Sequence, residues 1–182
     1  MKRNFRCLAA LSLAVILCLS CLTGCSFDMR KLLGMSTNEE EDPLFIVAEQ
    51  GGSDVPYPDG FDHTARFAAT QVDSTLCIAF HSLGIAGRST DYFTVAGDSI
   101  TVTAAATTDS ERLFTYKAAL WKKTEQGAEY TDGGTIQFTC DGELYTASIS
   151  GLEPGAQYKL TLSYDSGSYT ISGGMSVEGL AA

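Results

Sequence analysis

Residues 151–158 read Gly-Leu-Glu-Pro-Gly-Ala-Gln-Tyr, and an alternating apolar–polar run continues from Tyr158 to Tyr164. Pro154 fixes one φ angle and Gly155 permits a positive one, so the chain can turn sharply here between two extended segments. Glu153 is the acidic residue of the stretch, and a solvent-exposed corner position is favoured over a role as ligand or catalytic acid. The stretch therefore predicts a structural corner that leads into a β-strand.

The chain from residue 61 to residue 182 has the pattern of one all-β domain. Short runs rich in Thr, Val, Tyr, Phe and Ile alternate with Gly, Asp and Ser, and no stretch sustains a helical period over three turns. This pattern predicts a sandwich or barrel, and about 120 residues suffice for one such core. Strands are predicted at 75–83, 99–103, 113–122, 157–164 and 169–177, while 65–72 is ambiguous between strand and short helix.

A β-hairpin is predicted around Asp141-Gly142, because this dipeptide favours a type I′ two-residue turn between alternating runs. The turn would place Phe138 opposite Tyr145 and Ile136 opposite Ala147, with the apolar members on one face. A slip of one residue would scatter them between the two faces.

The stretch Leu152-Glu-Pro-Gly-Ala-Gln-Tyr158 resembles the Leu-x-Pro-Gly-x-x-Tyr corner between strands E and F of fibronectin type III domains. The resemblance implies that Leu152, Pro154, Gly155 and Tyr158 form a tyrosine corner, in which the tyrosine hydroxyl bonds a backbone group upstream. It also implies a core domain over about residues 92–179, with strand A at 93–96, B at 99–105, C at 114–122, F after the corner and G at 169–177. Segment 61–91 is surplus to that order and is expected to add N-terminal strands. Because the tryptophan common in strand B is missing, an immunoglobulin-like antiparallel β-sandwich is the broader expectation.

Residues 1–24 are predicted to be a lipoprotein signal peptide. Lys2, Arg3 and Arg6 form a basic start, and residues 7–22 are nearly all apolar. The end of this run, Leu22-Thr-Gly-Cys25, resembles the lipobox of bacterial lipoproteins, which implies that Cys25 carries diacylglycerol at the mature N-terminus. The alternative is an uncleaved membrane anchor. The expected location is outside the cytoplasm, lipid-anchored to a bacterial cell membrane.

Residues 25–60 are predicted to form a flexible acidic tether. They contain the charge run Glu39-Glu-Glu-Asp42 and turn-forming sequences at 51–53 and 56–60. The apolar island Leu44–Ala48 is a candidate edge strand within this stretch.

The charge balance excludes one class of partner. Once the three basic residues of the leader are removed, 9 basic residues stand against 22 acidic ones, a net charge of −13. Nucleic-acid affinity comes largely from Lys and Arg on phosphates, so no nucleic-acid partner is expected. The membrane contact is expected to be the lipid on Cys25.

Cys77 and Cys140 are the mature cysteines besides Cys25. Two thiols in a secreted chain suggest a disulfide. However, the two cysteines have opposite phases. Cys140 continues the inward-facing positions of Ile136 and Phe138, whereas Cys77 lies between the inward-facing Leu76 and Ile78 and should point outward. Two separate half-buried thiols are therefore the favoured alternative.

Catalytic and metal-binding patterns are weak. Asp59, Asp62 and His63 lie close in sequence as candidate metal ligands, but turn-forming and solvated roles are more common for such a run. His81 is expected on the outer face of a strand. Nucleophile-elbow, zinc-protease, P-loop and EF-hand motifs do not occur. We therefore expect no catalytic residue, no metal and no cofactor.

Three aromatic residues fall at strand ends or loops and are candidates for stacking on a ligand: Trp121, Tyr130 and Tyr169. Ordinary packing is the alternative.

Three functions follow as hypotheses. The first is a non-catalytic binding or envelope-assembly module with an unidentified protein or glycan partner. The second is a carbohydrate-binding module that uses exposed aromatics, and the third is an uncharacterised hydrolase with a site around His63 or His81.

Overall fold

The structure, a computed structural model, describes residues 45–182, which form twelve β-strands and no helix. The strands are β1 (Phe45–Val47), β2 (Glu49–Gln50), β3 (Phe67–Val72), β4 (Thr75–Leu83), β5 (Arg88–Ser89), β6 (Phe93–Thr94), β7 (Ser99–Thr108), β8 (Thr115–Thr124), β9 (Gly127–Thr139), β10 (Asp141–Ser150), β11 (Gln157–Ser163) and β12 (Ile171–Glu178). The predicted signal peptide, the lipidation of Cys25 and the tether up to residue 44 lie outside the described residues. Residues 45–182 contain no helix with the length and apolarity needed to cross a membrane.

The strands form two six-stranded sheets, and the prediction of an all-β fold is confirmed. The front sheet has the order β1-β9-β8-β11-β5, with β6 also paired to β11. The back sheet has the order β2-β10-β7-β12-β4-β3. All pairs are antiparallel except β1 with β9. Apolar side chains from both sheets form one core, in which Phe80 of the back sheet meets Tyr116 of the front sheet with ring centroids 5.9 Å apart.

Alternation along the strands decides which side chains enter this core. In β11, Tyr158, Leu160 and Leu162 are buried, whereas Lys159 and Thr161 between them are only half-buried. Strands form at all the predicted positions, and the ambiguous segment 65–72 becomes strand β3.

The predicted hairpin at Asp141-Gly142 is wrong. The chain crosses there from the front sheet to the back sheet, so that Phe138 pairs with Tyr116 and Tyr145 pairs with Ala104. The Asp141 carboxylate accepts a hydrogen bond from the Glu143 N–H at 3.0 Å, which holds an irregular start of β10. A crossover keeps the same side chains inward as a hairpin would, and alternation alone therefore cannot distinguish the two.

The last strand lies in a different sheet from the one that the fibronectin order implies. That order places strand G beside strand F, but β12 pairs with β7 and β4 in the back sheet. The place beside β11 is taken by the short strands β5 and β6. Gly173 permits the approach of β12 to β7, because a Cβ at this position would lie 2.2 Å from the carbonyl oxygen of Ala105.

The tether prediction is wrong for residues 45–60. The apolar island contributes β1 as an edge strand, and β2 follows it on the other sheet. Residues 51–64, here called the strap, then contact the outer face of the back sheet. The Tyr57 hydroxyl donates to the carbonyl of Ile78 at 3.1 Å, and the Cys77 thiol donates to the carbonyl of Pro56 at 3.0 Å.

Candidate functional site

The outer face of the front sheet gathers lysines and aromatic rings. The described residues carry 7 basic and 17 acidic side chains, and all four of their lysines lie on β8 and β11. The strand register places Trp121 between Tyr130 on β9 and Lys159 on β11. We call the following set the lysine–aromatic face: Phe45, Tyr92, Lys117, Trp121, Lys123, Tyr130 and Lys159.

Three of these lysines rest over aromatic rings. The Lys117 ammonium lies 4.5 Å from the centroid of the Phe45 ring. The ammonium groups of Lys123 and Lys159 lie 5.2 Å and 5.6 Å from the centroid of one ring, that of Tyr92. Cations within about 6 Å of a ring centroid are attracted by its π face. The rings therefore hold the ammonium groups at defined places on the sheet surface.

Two of the lysines on this sheet are paired with acids. Lys117 lies 3.4 Å from the Asp165 carboxylate, and Lys122 forms an ion pair with Glu153. The hydrogen bond from Lys122 lowers the pKa of the Glu153 carboxyl, whose side chain is exposed.

Lys123 and Lys159 differ from those two, because neither has an acidic partner within residues 45–182. Lys123 instead donates to the Gln157 side chain at 2.8 Å. Among the described residues, these two ammonium groups are thus not neutralised by a carboxylate.

The predicted stacking residues do not form one flat platform. Trp121 and Tyr130 are in contact, with ring centroids 5.6 Å apart, but their planes meet at 73°. The Tyr130 hydroxyl is engaged with that of Thr135 at 2.9 Å. Tyr169 is 43% exposed. It comes after the C-terminal end of β11, which pairs with Lys117, whereas Trp121 pairs with β11 nearer its N-terminal end. The structure thus brings Trp121 and Tyr130 together and leaves Tyr169 apart.

The corner at residues 152–158 packs against the end of the sandwich. The Leu152 side chain is buried, and its N–H donates to the Asp98 carbonyl at 2.8 Å. Gly155 has a φ of 79° and donates its N–H to the Val95 carbonyl at 2.9 Å, while Pro154 is exposed. The ring of Tyr158 is buried, and its hydroxyl accepts the N–H of Glu153 at 3.1 Å.

Cys77 and Cys140 are both buried, and within residues 45–182 neither forms a disulfide. Cys140 points into the core, and burial raises the pKa of its thiol to about 11. Cys77 points to the outer face of the back sheet, where the strap covers it and burial raises its pKa as well. The two thiols lie on different sides of the sheet, in keeping with their opposite phases in the sequence.

The histidines and the aspartates near them have local partners. The Asp62 carboxylate accepts the Thr64 N–H at 2.9 Å and the Thr64 hydroxyl at 2.7 Å, and these bonds lower its pKa. The Nε2–H of His81 donates to the carbonyl of His63. Within residues 45–182, neither histidine is hydrogen-bonded to a serine or aspartate side chain, and no group of three His, Cys, Asp or Glu is placed to hold a metal ion. Asp59 lies beside a cavity of about 290 Å³ between the strap and β3.

The sequence pattern pointed to Trp121 and Tyr130 but missed the lysines around them and Tyr92. The outward phase of Lys117, Lys123 and Lys159 can be read from the alternation of their strands. That β8 and β11 are adjacent in one sheet cannot be read in this way, because the pairing joins residues far apart in the chain.

No protein-family model and no curated protein matches this chain. Among solved structures, the enzymatically active domain of tailspike protein 4 of bacteriophage CBA120 is similar over 74% of this chain and 17% of that chain. The identity is 13% and the TM-score is 0.33. The chain thus spans less than a fifth of that protein, and a likeness at this score establishes neither a shared fold nor a shared activity.

Proposed function

We propose that the protein is a lipid-anchored extracytoplasmic lipoprotein of a bacterial envelope, whose β-sandwich is a non-catalytic binding module. The sequence of residues 1–25 supports the anchor, because a basic start, an apolar run and Leu22-Thr-Gly-Cys25 follow one another in the order of a lipoprotein leader. A lipid anchor carrying two or more acyl chains holds a protein stably at a membrane. Residues 26–44 would then separate the domain from the bilayer.

We place the domain in the immunoglobulin-like class, and two features support this. The hydroxyl of Tyr158 and the N–H of Glu153 have the geometry of a tyrosine corner. The strands at the positions of B, C and F also pair as the class requires, with β8 beside β11 and β7 in the opposite sheet. The position of β12 in the back sheet marks a variant of that order.

The lysine–aromatic face is the proposed binding surface, and its proposed ligand is an acidic glycan. The observation that carries this proposal is the placement of Lys123 and Lys159 over one ring of Tyr92, with no acidic partner among residues 45–182. In a domain with 17 acidic and 7 basic side chains, such an arrangement concentrates positive charge on one face. Electrostatic complementarity then favours an anionic ligand at this face and disfavours it elsewhere.

A glycan fits this face better than a compact ligand does. The lysines lie on the outer side of a sheet, and hydroxyl and amide side chains accompany them: Gln157 contacts Lys123, and the Ser89 and Thr161 hydroxyls lie 2.8 Å apart. Sugar hydroxyls can replace such contacts while carboxylates or phosphates meet the ammonium groups. The edge-to-face pair of Trp121 and Tyr130 would border the chain rather than lie under it.

The test of this surface is binding of the full-length protein to a polyuronate and to a neutral glucan of similar length. The Lys123→Gln/Lys159→Gln variant should bind the polyuronate at least about tenfold more weakly, and the wild-type affinity should fall as salt rises. Lys122→Gln is the matched control, since this lysine is already paired with Glu153 and should leave binding near wild type. Equal binding of the neutral glucan, or no binding of the polyuronate, would contradict the proposed ligand.

The anchor has a separate test. Cys25→Ala should abolish acylation, detected by mass or by incorporation of labelled fatty acid, and should block maturation or release the protein from membranes. Unchanged acylation and membrane retention would contradict the anchor without affecting the binding surface.

A further inference from the structure

Strand β3 leaves a long sheet edge without a partner. The outermost strands elsewhere are two or three residues long: β1, β2, β5 and β6. β3 has six residues, pairs with β4 on one side, and has no strand on its other side within residues 45–182. Such an edge presents a row of backbone N–H and C=O groups that can pair with another strand.

The composition of β3 does not protect this edge. Proteins commonly block exposed edges with charges, prolines or bulges, but Phe67–Val72 reads Phe-Ala-Ala-Thr-Gln-Val and has none of these. Charged residues stand directly outside the strand instead, Arg66 before it and Asp73 after it. An antiparallel copy of the strand would place the end that carries Arg66 beside the end of the second copy that carries Asp73, whereas a parallel copy would align like charges.

We propose that β3 pairs in antiparallel fashion with β3 of a second copy of this chain, which joins the two back sheets into one continuous sheet. Side chains opposite each other must share a face, so the two-fold axis has to pass through a residue rather than between two. An axis at Thr70 places the two Thr70 hydroxyls opposite each other and Ala68 opposite Val72 of the second copy. Cross-strand threonine pairs stabilise a sheet by hydrogen bonding.

The surface beside β3 has room for the partner side chain. Val72 is 42% exposed in the single chain. Ala68 and Thr70 border the cavity of about 290 Å³ whose other wall is formed by the strap, including Phe61. Val72 of the second copy, opposite the small Ala68, would lie next to this cavity and lose its exposure. Pairing would therefore bury apolar surface from both copies in the same way.

This contact is independent of the proposed ligand. β3 lies in the back sheet, whereas the lysine–aromatic face lies on the outer surface of the front sheet. A dimer joined through β3 would thus present two lysine–aromatic faces. Loss of glycan binding would leave the dimer in place, and loss of the dimer would leave each binding face in place.

The register gives a sharp test with paired cysteine variants of the full-length chain, solubilised from membranes in mild detergent. Residues directly opposite on antiparallel strands have Cβ atoms about 5 Å apart, close to disulfide geometry. The cysteine variants are made in a Cys77→Ser background, because Cys77 lies opposite Thr70 on β4 and would otherwise form a disulfide within one chain. Thr70→Cys should then form a disulfide-linked dimer under mild oxidation at least tenfold faster than the Cys77→Ser chain. Val72→Cys is the matched control on the same face of the same strand, because the two copies of residue 72 would lie about 13 Å apart.

Equal rates for the two cysteine variants would overturn the register. A second measurement tests the association itself by sedimentation of the wild-type chain and of Val72→Lys, with circular dichroism to establish that the variant is folded. The lysine would meet Ala68 and the cavity wall, so we expect the dimer dissociation constant to rise at least tenfold. A wild-type chain that stays monomeric at high concentration, or a folded Val72→Lys chain that dimerises as wild type does, would overturn the proposal.

Discussion

The hydroxyl of Tyr158 accepts a hydrogen bond from the backbone N–H of Glu153 at 3.1 Å, while the Tyr158 ring lies in the core. The bond closes the turn made by Pro154 and Gly155 and ties the start of β11 to the end of the sandwich. The side chain of Glu153 has a different partner, Lys122. The Glu153 backbone therefore bonds Tyr158 in the corner, while the Glu153 side chain makes a separate contact with Lys122.

Tyr158→Phe should destabilise the domain by about 1 kcal/mol, the usual net contribution of one hydrogen bond. Glu153→Gln keeps the backbone N–H and alters only a surface ion pair, so it should leave the free energy of unfolding close to that of wild type. Urea unfolding of both variants measures the difference. A Tyr158→Phe midpoint equal to that of wild type would show that the bond does not support the corner.

The opposite result is expected at Tyr116. Its ring is buried and stacks on Phe138 with centroids 5.4 Å apart, but its buried hydroxyl has no hydrogen-bond partner among residues 45–182. An unsatisfied buried polar group destabilises a fold by about 1–3 kcal/mol. Tyr116→Phe should therefore leave stability unchanged or raise it by up to about 1 kcal/mol, and a clear loss in the same urea experiment would point to a partner for this hydroxyl.

The strap depends on a glycine in a distant strand. A Cβ at Gly174 would lie 1.7 Å from the Tyr57 hydroxyl oxygen and 2.9 Å from its ring. Gly174→Ala should therefore displace the strap and destabilise the domain by about 1–3 kcal/mol through overpacking. Gly97→Ala is the control, since a Cβ at that glycine would meet no atom of residues 45–182 within 4 Å.

The same clash predicts a coupling between the two residues. In a Tyr57→Ala background the ring is gone, so Gly174→Ala should have little further effect on the midpoint. Additive effects of the two substitutions in a double-mutant cycle would contradict the contact.

The sequence was sufficient to locate the strands, because their inward side chains recur with period two. It was not sufficient to assign them to sheets. Residues 136–138 and 145–147 alternate in the same way whether they form a hairpin or cross between sheets, and the second case holds. The Asp-Gly dipeptide at 141–142 correctly indicated that the chain changes direction there. It did not indicate that the next strand, β10, pairs in the other sheet.

The strap shows a second limit. Residues 51–60 contain turn-forming residues and lack a strand pattern, so they resemble a tether. Their position is fixed by Gly174 and Ile78, which lie on other strands and bear no local relation to Tyr57. Glycines 173 and 174 weaken the strand pattern in the sequence. In the fold, however, Gly173 leaves space for β7 and Gly174 leaves space for Tyr57.

Buried thiol and phenol groups predict a loss of stability at alkaline pH. The Cys140 thiol has a pKa of about 11 in the fold, against 9.0 in the absence of burial, and burial also raises the pKa of Tyr116. Between pH 9 and 11 the unfolded chain therefore releases protons that the folded chain retains. Because the unfolded state then binds fewer protons, the free energy of unfolding falls as pH rises through this range.

Urea unfolding from pH 7 to pH 10.5 measures this slope. Cys140→Ala should lower stability at pH 7 by leaving a small cavity, yet it should flatten the decline above pH 9, because one of the retained protons is gone. Tyr116→Phe should flatten the decline at the upper end of the range without the loss at pH 7. A wild-type chain whose stability is constant from pH 8 to pH 10.5 would contradict this prediction, as would variants whose decline is as steep as that of wild type.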